Sequence, residues 1–228
     1  MEEGAQLFHV LNRGVDKRVI FLDDQDHFRF IHNLYEFNDE NWVNTSFYAF
    51  NKSHDIESRD IRKRTPRKLI VDIIAFCIMP NHYHILLAPR VEGGTSKFMK
   101  KVNIGYAKYF NNKYTRTGTL FESRYKSVPV TEEAHFVYLP YYIHFNPLDL
   151  TAPGWREREI PNHKEALEFL EKYRWSSFRD YIGKKNFPSV ITSPFLSNFL
   201  SSPEQYKKDS LEWLKQIDFN EISSITLE

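Results

Sequence analysis

The chain has 228 residues, 41% hydrophobic and 27% charged, with a net charge of +1, which suits one sizeable domain with a helical appendage. Its single cysteine, Cys77, excludes an internal disulfide and a cysteine zinc site, and no stretch approaches the roughly 18 apolar residues of a membrane span. The acidic start Met1-Glu2-Glu3-Gly4 lacks a signal-peptide pattern, so a cytoplasmic protein is expected.

Phe8-His9-Val10-Leu11, closed by Asn12-Arg13-Gly14, reads as a first strand. Asp23 or Asp24 caps a helix running to about Tyr35. Residues 51–68 are polar and charged and read as a basic insertion, a loop or hairpin that is either a binding element or simply solvated. Leu69 to Leu87 holds one long strand, or two joined at Met79-Pro80-Asn81, since Pro80 lacks an amide donor. Thr95 or Ser96 caps a helix from Lys97 to about Asn111, with Phe98, Val102, Tyr106 and Tyr109 at helical spacing. After a turn at 115–118, Leu120 to Val130 is extended. A helix follows from Thr131-Glu132-Glu133 to about Asn146-Pro147, then helices over 163–173 and 204–217. This order predicts an α+β fold, a ferredoxin-like βαββαβ antiparallel sheet with helices on one face and a C-terminal helical tail. Residues 1–150 form the expected catalytic domain and 151–228 a mainly helical extension packed on it.

Chemistry concentrates in three places. His82 and His84 are two apart in a strand, so they share a face while Tyr83 points to the other. Two adjacent imidazoles suit a metal, although structural histidines fit the same spacing. In the helix near 142, Tyr142 and Asn146 are one turn apart. Asn146 could complete a two-histidine site. Tyr142 would supply a phenol, a weak nucleophile at its ordinary pKa of about 10 unless a base or metal assists. A buried, hydrogen-bonded tyrosine is the plain alternative. Pro140 means that this helix either starts near Leu139 or kinks, and Tyr138 and Tyr141 are rival nucleophiles, Tyr141 turned about 100° away from Tyr142. Third, residues 97–126 carry eight cations against Glu122 alone, and residues 52–68 seven against three anions. Segregated charge on a near-neutral chain fits a phosphate backbone, and the interleaved Phe98, Tyr106, Tyr109, Phe110, Tyr114, Phe121 and Tyr125 could stack bases where they are not core. With Arg13, the expected DNA contacts are Lys97, Lys100, Lys101, Lys108, Arg116, Arg124 and Lys126.

His82-Tyr83-His84 fits the HUH pattern, and the chain resembles the single-tyrosine HUH transposases (transposase IS200-like), of the branch associated with repetitive extragenic palindromes. The likeness runs from about Phe8 to Tyr181, through Phe8–Gly14, Phe21-Leu22-Asp23-Asp24, Met79–Leu87, Tyr106–Ser127, Tyr142-Ile143-His144-Phe145-Asn146-Pro147 and Arg174-Trp175-Ser176-Ser177-Phe178 with Tyr181. The resemblance implies that His82, His84 and Asn146 bind Mg²⁺ or Mn²⁺. It implies that Tyr142 attacks single-stranded DNA beside a hairpin, giving a 5′-phosphotyrosine and a free 3′-hydroxyl, in a monomer or homodimer. Pro140 and the long 51–68 insertion depart from the family pattern. The competing readings are a DNA-binding module whose catalysis has decayed or been repurposed, and a hydrolase of small phosphate esters.

Overall fold

The computed structural model describes residues 6–41, 66–131, 133–192 and 202–216; nearly all of the 51–68 insertion lies outside them. Strands β1 (Leu7–Arg13), β2 (Val71–Ile78), β3 (His82–Pro89) and β4 (Lys126–Val130) form one antiparallel sheet in the order β2-β3-β1-β4. Helices α1 (Asp24–Glu36) and α2 (Gly94–Lys113) provide the βαββαβ crossovers and lie on one face.

Local chemistry fixes the boundaries. Asp23 caps α1, its Oδ1 accepting from the Asp26 amide at 2.9 Å. The expected Thr95 or Ser96 cap of α2 is not used: the helix starts earlier, after Gly93 in the left-handed region at φ +63°. Phe98, Val102, Tyr106 and Phe110 recur every fourth residue, and all are buried against the sheet. The Asp26 carboxylate, itself buried, accepts from Tyr109, Tyr114 and Lys113 and ties α1 to α2. The rings of the basic segment are thus largely spent inside the protein. Of the stretch expected to be extended from Leu120, only Lys126–Val130 is strand.

The opposite face is covered as well. Helix α3 (Glu133–Phe145) lies across β2, β3 and β4, followed by 3-10 turns at Asn146–Leu150 and Pro153–Glu157, then α4 (His163–Lys172), α5 (Phe178–Tyr181) and α6 (Pro203–Gln216). Leu139, Tyr142, Ile143 and Phe145 of α3 share a core with Cys77 and Leu86 of the sheet and Leu167, Tyr181 and Tyr206 of the C-terminal helices. The sheet therefore has two cores, one per face, and α3 is sandwiched, which is why it is apolar all round. The outer edge of β2 is closed by the Trp175–Ser177 segment, through Ile78 N to Trp175 O at 2.8 Å and Ser177 N to Phe76 O at 3.0 Å.

Candidate active site

The tight connection between β2 and β3 sets the first half of the site. Met79 N donates to His82 O at 2.8 Å, so Pro80 sits in the turn, at a strand boundary as its missing amide requires. The turn carbonyls then hold the loop after β1: Pro80 O accepts from Ile20 N and Phe21 N, and Asn81 O from Gly14 N. Gly14 is needed for this closeness, since a Cβ there would lie 2.5 Å from Arg18 O and 2.6 Å from Ile20 Cγ2. His82 and His84 consequently project from the start of a strand buried on both faces, with ring centres 5.1 Å apart.

Each histidine is engaged through the same nitrogen. His82 Nδ1 meets Asn81 Oδ1 at 2.6 Å, and His84 Nδ1 meets His9 Nε2 at 2.9 Å. That is the arrangement of metal-binding histidines, whose other ring nitrogen is held by a neighbour. Nε2 is the nitrogen that each ring would offer to a cation. Burial first, then the neighbouring His9, Arg156 and Arg13 groups, push the His84 imidazole well below its ordinary value and favour its neutral form. Among the described residues there is no group of three or more His, Cys, Asp or Glu side chains that could hold a metal ion.

Helix α3 supplies the second half. It runs through Pro140 from Glu133 to Phe145, so it does not start near Leu139. Tyr142 is fully buried, with its ring edge-on to His84 at 5.9 Å and to His9 at 6.2 Å between centres. The rival tyrosines turn towards the C-terminal helix instead: Tyr141 stacks on Tyr206 at 4.5 Å and Trp213 at 5.0 Å, and Tyr138 meets Trp213 at 4.2 Å. Between Tyr142 and Asn146, His144 is locked by Tyr206 Oη on Nδ1 at 2.8 Å and Ser177 Oγ on Nε2 at 2.7 Å, and burial lowers its pKa to about 3.

Asn146 lies just past the helix end, where Pro147 stops α3, and its Nδ2 donates to Tyr142 O at 2.8 Å. Its Oδ1 accepts from Arg156 Nη2 at 3.2 Å. An amide oxygen has two acceptor positions, so Oδ1 could hold a cation beside that bond. Imidazole nitrogens and an amide oxygen are donor types that a divalent cation can accept together.

Two residues of the site carry no local signal in the sequence. His9 reaches it only through the pairing of β1 with β3. Arg156 comes from the second 3-10 turn, paired with Asp149, and its guanidinium carbon is 5.7 Å from the Tyr142 ring centre and 4.3 Å from that of Trp155. Nothing in the spacing from Tyr142 announces it.

The expected DNA contacts separate into two groups. Arg13 pairs with His82 across the strands, and Lys126, Leu11, His84 and Cys77 form one row across the sheet. Arg13 and Lys126 therefore border the histidine face, with Arg124 exposed just before β4. Lys97, Lys100 and Lys108 are exposed on α2, in the layer on the other side of the sheet. Lys101 is half-buried and donates to Asp39 O at 2.5 Å, and Arg116 donates to Asn111 Oδ1 at 3.2 Å.

Residues 42–146 match the family model described as "Transposase IS200 like". Among solved structures, one described as "Structure of the REP associates tyrosine transposase bound to a REP hairpin" is 12% identical, with a TM-score of 0.48 over 83% of this chain and 86% of that one. No curated protein matches. No helix among the described residues is long and apolar enough to cross a membrane.

Proposed function

We propose that the protein, whose residues 42–146 match the IS200-like transposase family model, is a metal-dependent single-stranded DNA endonuclease and strand transferase whose nucleophile is Tyr142. The observation that carries this reading is the meeting of Tyr142 with His84, ring centres 5.9 Å apart, within one chain. On that part of α3 the Tyr142 ring meets His84 and His9, whereas Tyr138 and Tyr141 meet Trp213 and Tyr206.

His82, His84 and Asn146 would hold the divalent cation. When bound, it would polarise the non-bridging oxygens of a phosphodiester. Tyr142 Oη would attack phosphorus, forming the Tyr142–phosphate bond as the bond to the 3′ oxygen breaks. The phenolic proton is lost, and the departing 3′ oxygen gains one to become a hydroxyl. One phosphoester replaces another, so a later attack by a 3′-hydroxyl rejoins strands without an external energy source. The Arg156 side chain is about a quarter exposed, with its guanidinium carbon 5.7 Å from the Tyr142 ring centre, and a guanidinium there could pair with phosphate oxygens. The hairpin beside the cleavage site follows from the family resemblance.

Incubating the protein with hairpin-bearing single-stranded DNA and Mn²⁺ should give a denaturant-resistant protein–DNA band. Tyr142→Phe should remove that band and leave DNA affinity nearly unchanged, because a buried ring is retained. A band that persists in the variant moves the nucleophile elsewhere. No band from the wild type would favour a binding module without catalysis.

A further inference from the structure

His9 is fully buried on the face of β1 that looks towards α3, a row whose sequence neighbours on that face are Leu7 and Leu11. An apolar side chain would serve packing there without the cost of desolvating an imidazole. Its contacts explain why a polar ring sits in that row. Its Nε2 is 2.9 Å from His84 Nδ1, the two rings lie within 20° of parallel at 5.2 Å, and the His9 ring also stands edge-on to Tyr142. Asn81 does for His82 Nδ1 what His9 does for His84 Nδ1. The register sets this up: His9 is opposite Leu86, two residues beyond His84 on the same face of β3.

We propose that His9 is a positioning residue, whose Nε2 accepts the hydrogen bond from His84 Nδ1 and so fixes the tautomer and ring plane in which His84 offers Nε2 to the divalent cation. The inference rests on the metal site of the proposed function. A histidine that coordinates through Nε2 carries its proton on Nδ1 and needs an acceptor for it. The neighbour must then be neutral at the nitrogen that faces it, which places the His9 proton on its own Nδ1. Contact with Tyr142 means that the same ring keeps the nucleophile and the ligand in one arrangement.

The test is Mn²⁺ binding without DNA, followed by the decrease of the free-ion electron paramagnetic resonance signal. His9→Phe keeps a ring and removes the acceptor, and should weaken Mn²⁺ binding about 10- to 100-fold, the usual effect of removing such a neighbour. His9→Gln restores a carbonyl acceptor and should recover most of that affinity, whereas His9→Met, similar in length, should not. A merely structural role would lower the melting temperature of Gln and Met alike without separating their Mn²⁺ affinities. Equal Mn²⁺ affinity in wild type, His9→Phe and His9→Met overturns the inference. Should the variants not fold, the wild type decides it: nitrogen-15 spectra of the histidines with Mg²⁺ bound should show His84 protonated on Nδ1, and a proton on Nε2 overturns the role. A wild type that binds no divalent cation would instead sink the metal site itself, a separate outcome.

Discussion

Arg156 is the residue whose chemistry can be separated most cleanly from that of the nucleophile. It touches Asn146 Oδ1, pairs with Asp149 and lies over the Tyr142 ring. Removing a donor aimed at developing phosphate charge costs about 100-fold in rate in comparable sites. Arg156→Ala should therefore slow adduct formation by about 100-fold at saturating Mn²⁺. Arg156→Lys, which keeps charge but not the planar fork, should fall between the two. Single-turnover kinetics distinguish this from a binding defect, and unchanged kinetics in Arg156→Ala would remove Arg156 from the chemistry. The residues legible in the sequence were those a few positions apart along the chain: His82 and His84 at strand spacing, and Tyr142 and Asn146 four residues apart across the end of α3. His9 and Arg156 escaped because their closeness to the site is made by strand pairing and by a turn after α3, neither of which leaves a local period.

At the scale of elements, α3 depends on its surroundings more than on its own sequence. Pro140 costs it a backbone hydrogen bond, and read locally that argued for a helix that either starts near Leu139 or kinks. The helix nevertheless runs from Glu133, because it is buried between the sheet and the C-terminal helices. Tertiary contacts of this kind override a local breaker, and they cannot be read from the segment itself. The clamp is specific: Tyr206 of α6 donates to or accepts from His144 and stacks on Tyr141, while Ser177 holds the other side of His144. Tyr206→Phe retains the stacking ring and takes the partner from a buried imidazole nitrogen. It should cost about 1–3 kcal/mol of stability in urea unfolding. The same variant should reduce adduct formation more than DNA affinity, because α3 also carries Tyr142. A variant as stable as wild type would show that α6 does not hold α3.

Across the whole molecule, charge is arranged by layer. The concentration of cations over 97–126 was visible in the sequence. Its division between the two sides of the sheet was not, since spacing along α2 does not tell which face the helix covers. Arg13 and Lys126 border the histidine face, whereas Lys97, Lys100 and Lys108 lie on the opposite layer. The two groups should behave differently. Arg13→Ala should slow cleavage with little change in the salt dependence of binding. Replacing Lys97, Lys100 and Lys108 with Ala should weaken affinity without changing the rate in bound complexes. It should also reduce the slope of log K against log salt by about one for each lysine that neutralises a phosphate. A triple variant with an unaltered slope would show that DNA does not follow α2. The central claim, that one chain brings Tyr142 to the two histidines for attack on DNA, is tested most directly by mass spectrometry of the adduct trapped with Mn²⁺ and hairpin-bearing single-stranded DNA. The expected result is a 5′-phosphorylated DNA fragment on the peptide containing Tyr142. An adduct on Tyr138, Tyr141 or any other residue, or none at all, would contradict it.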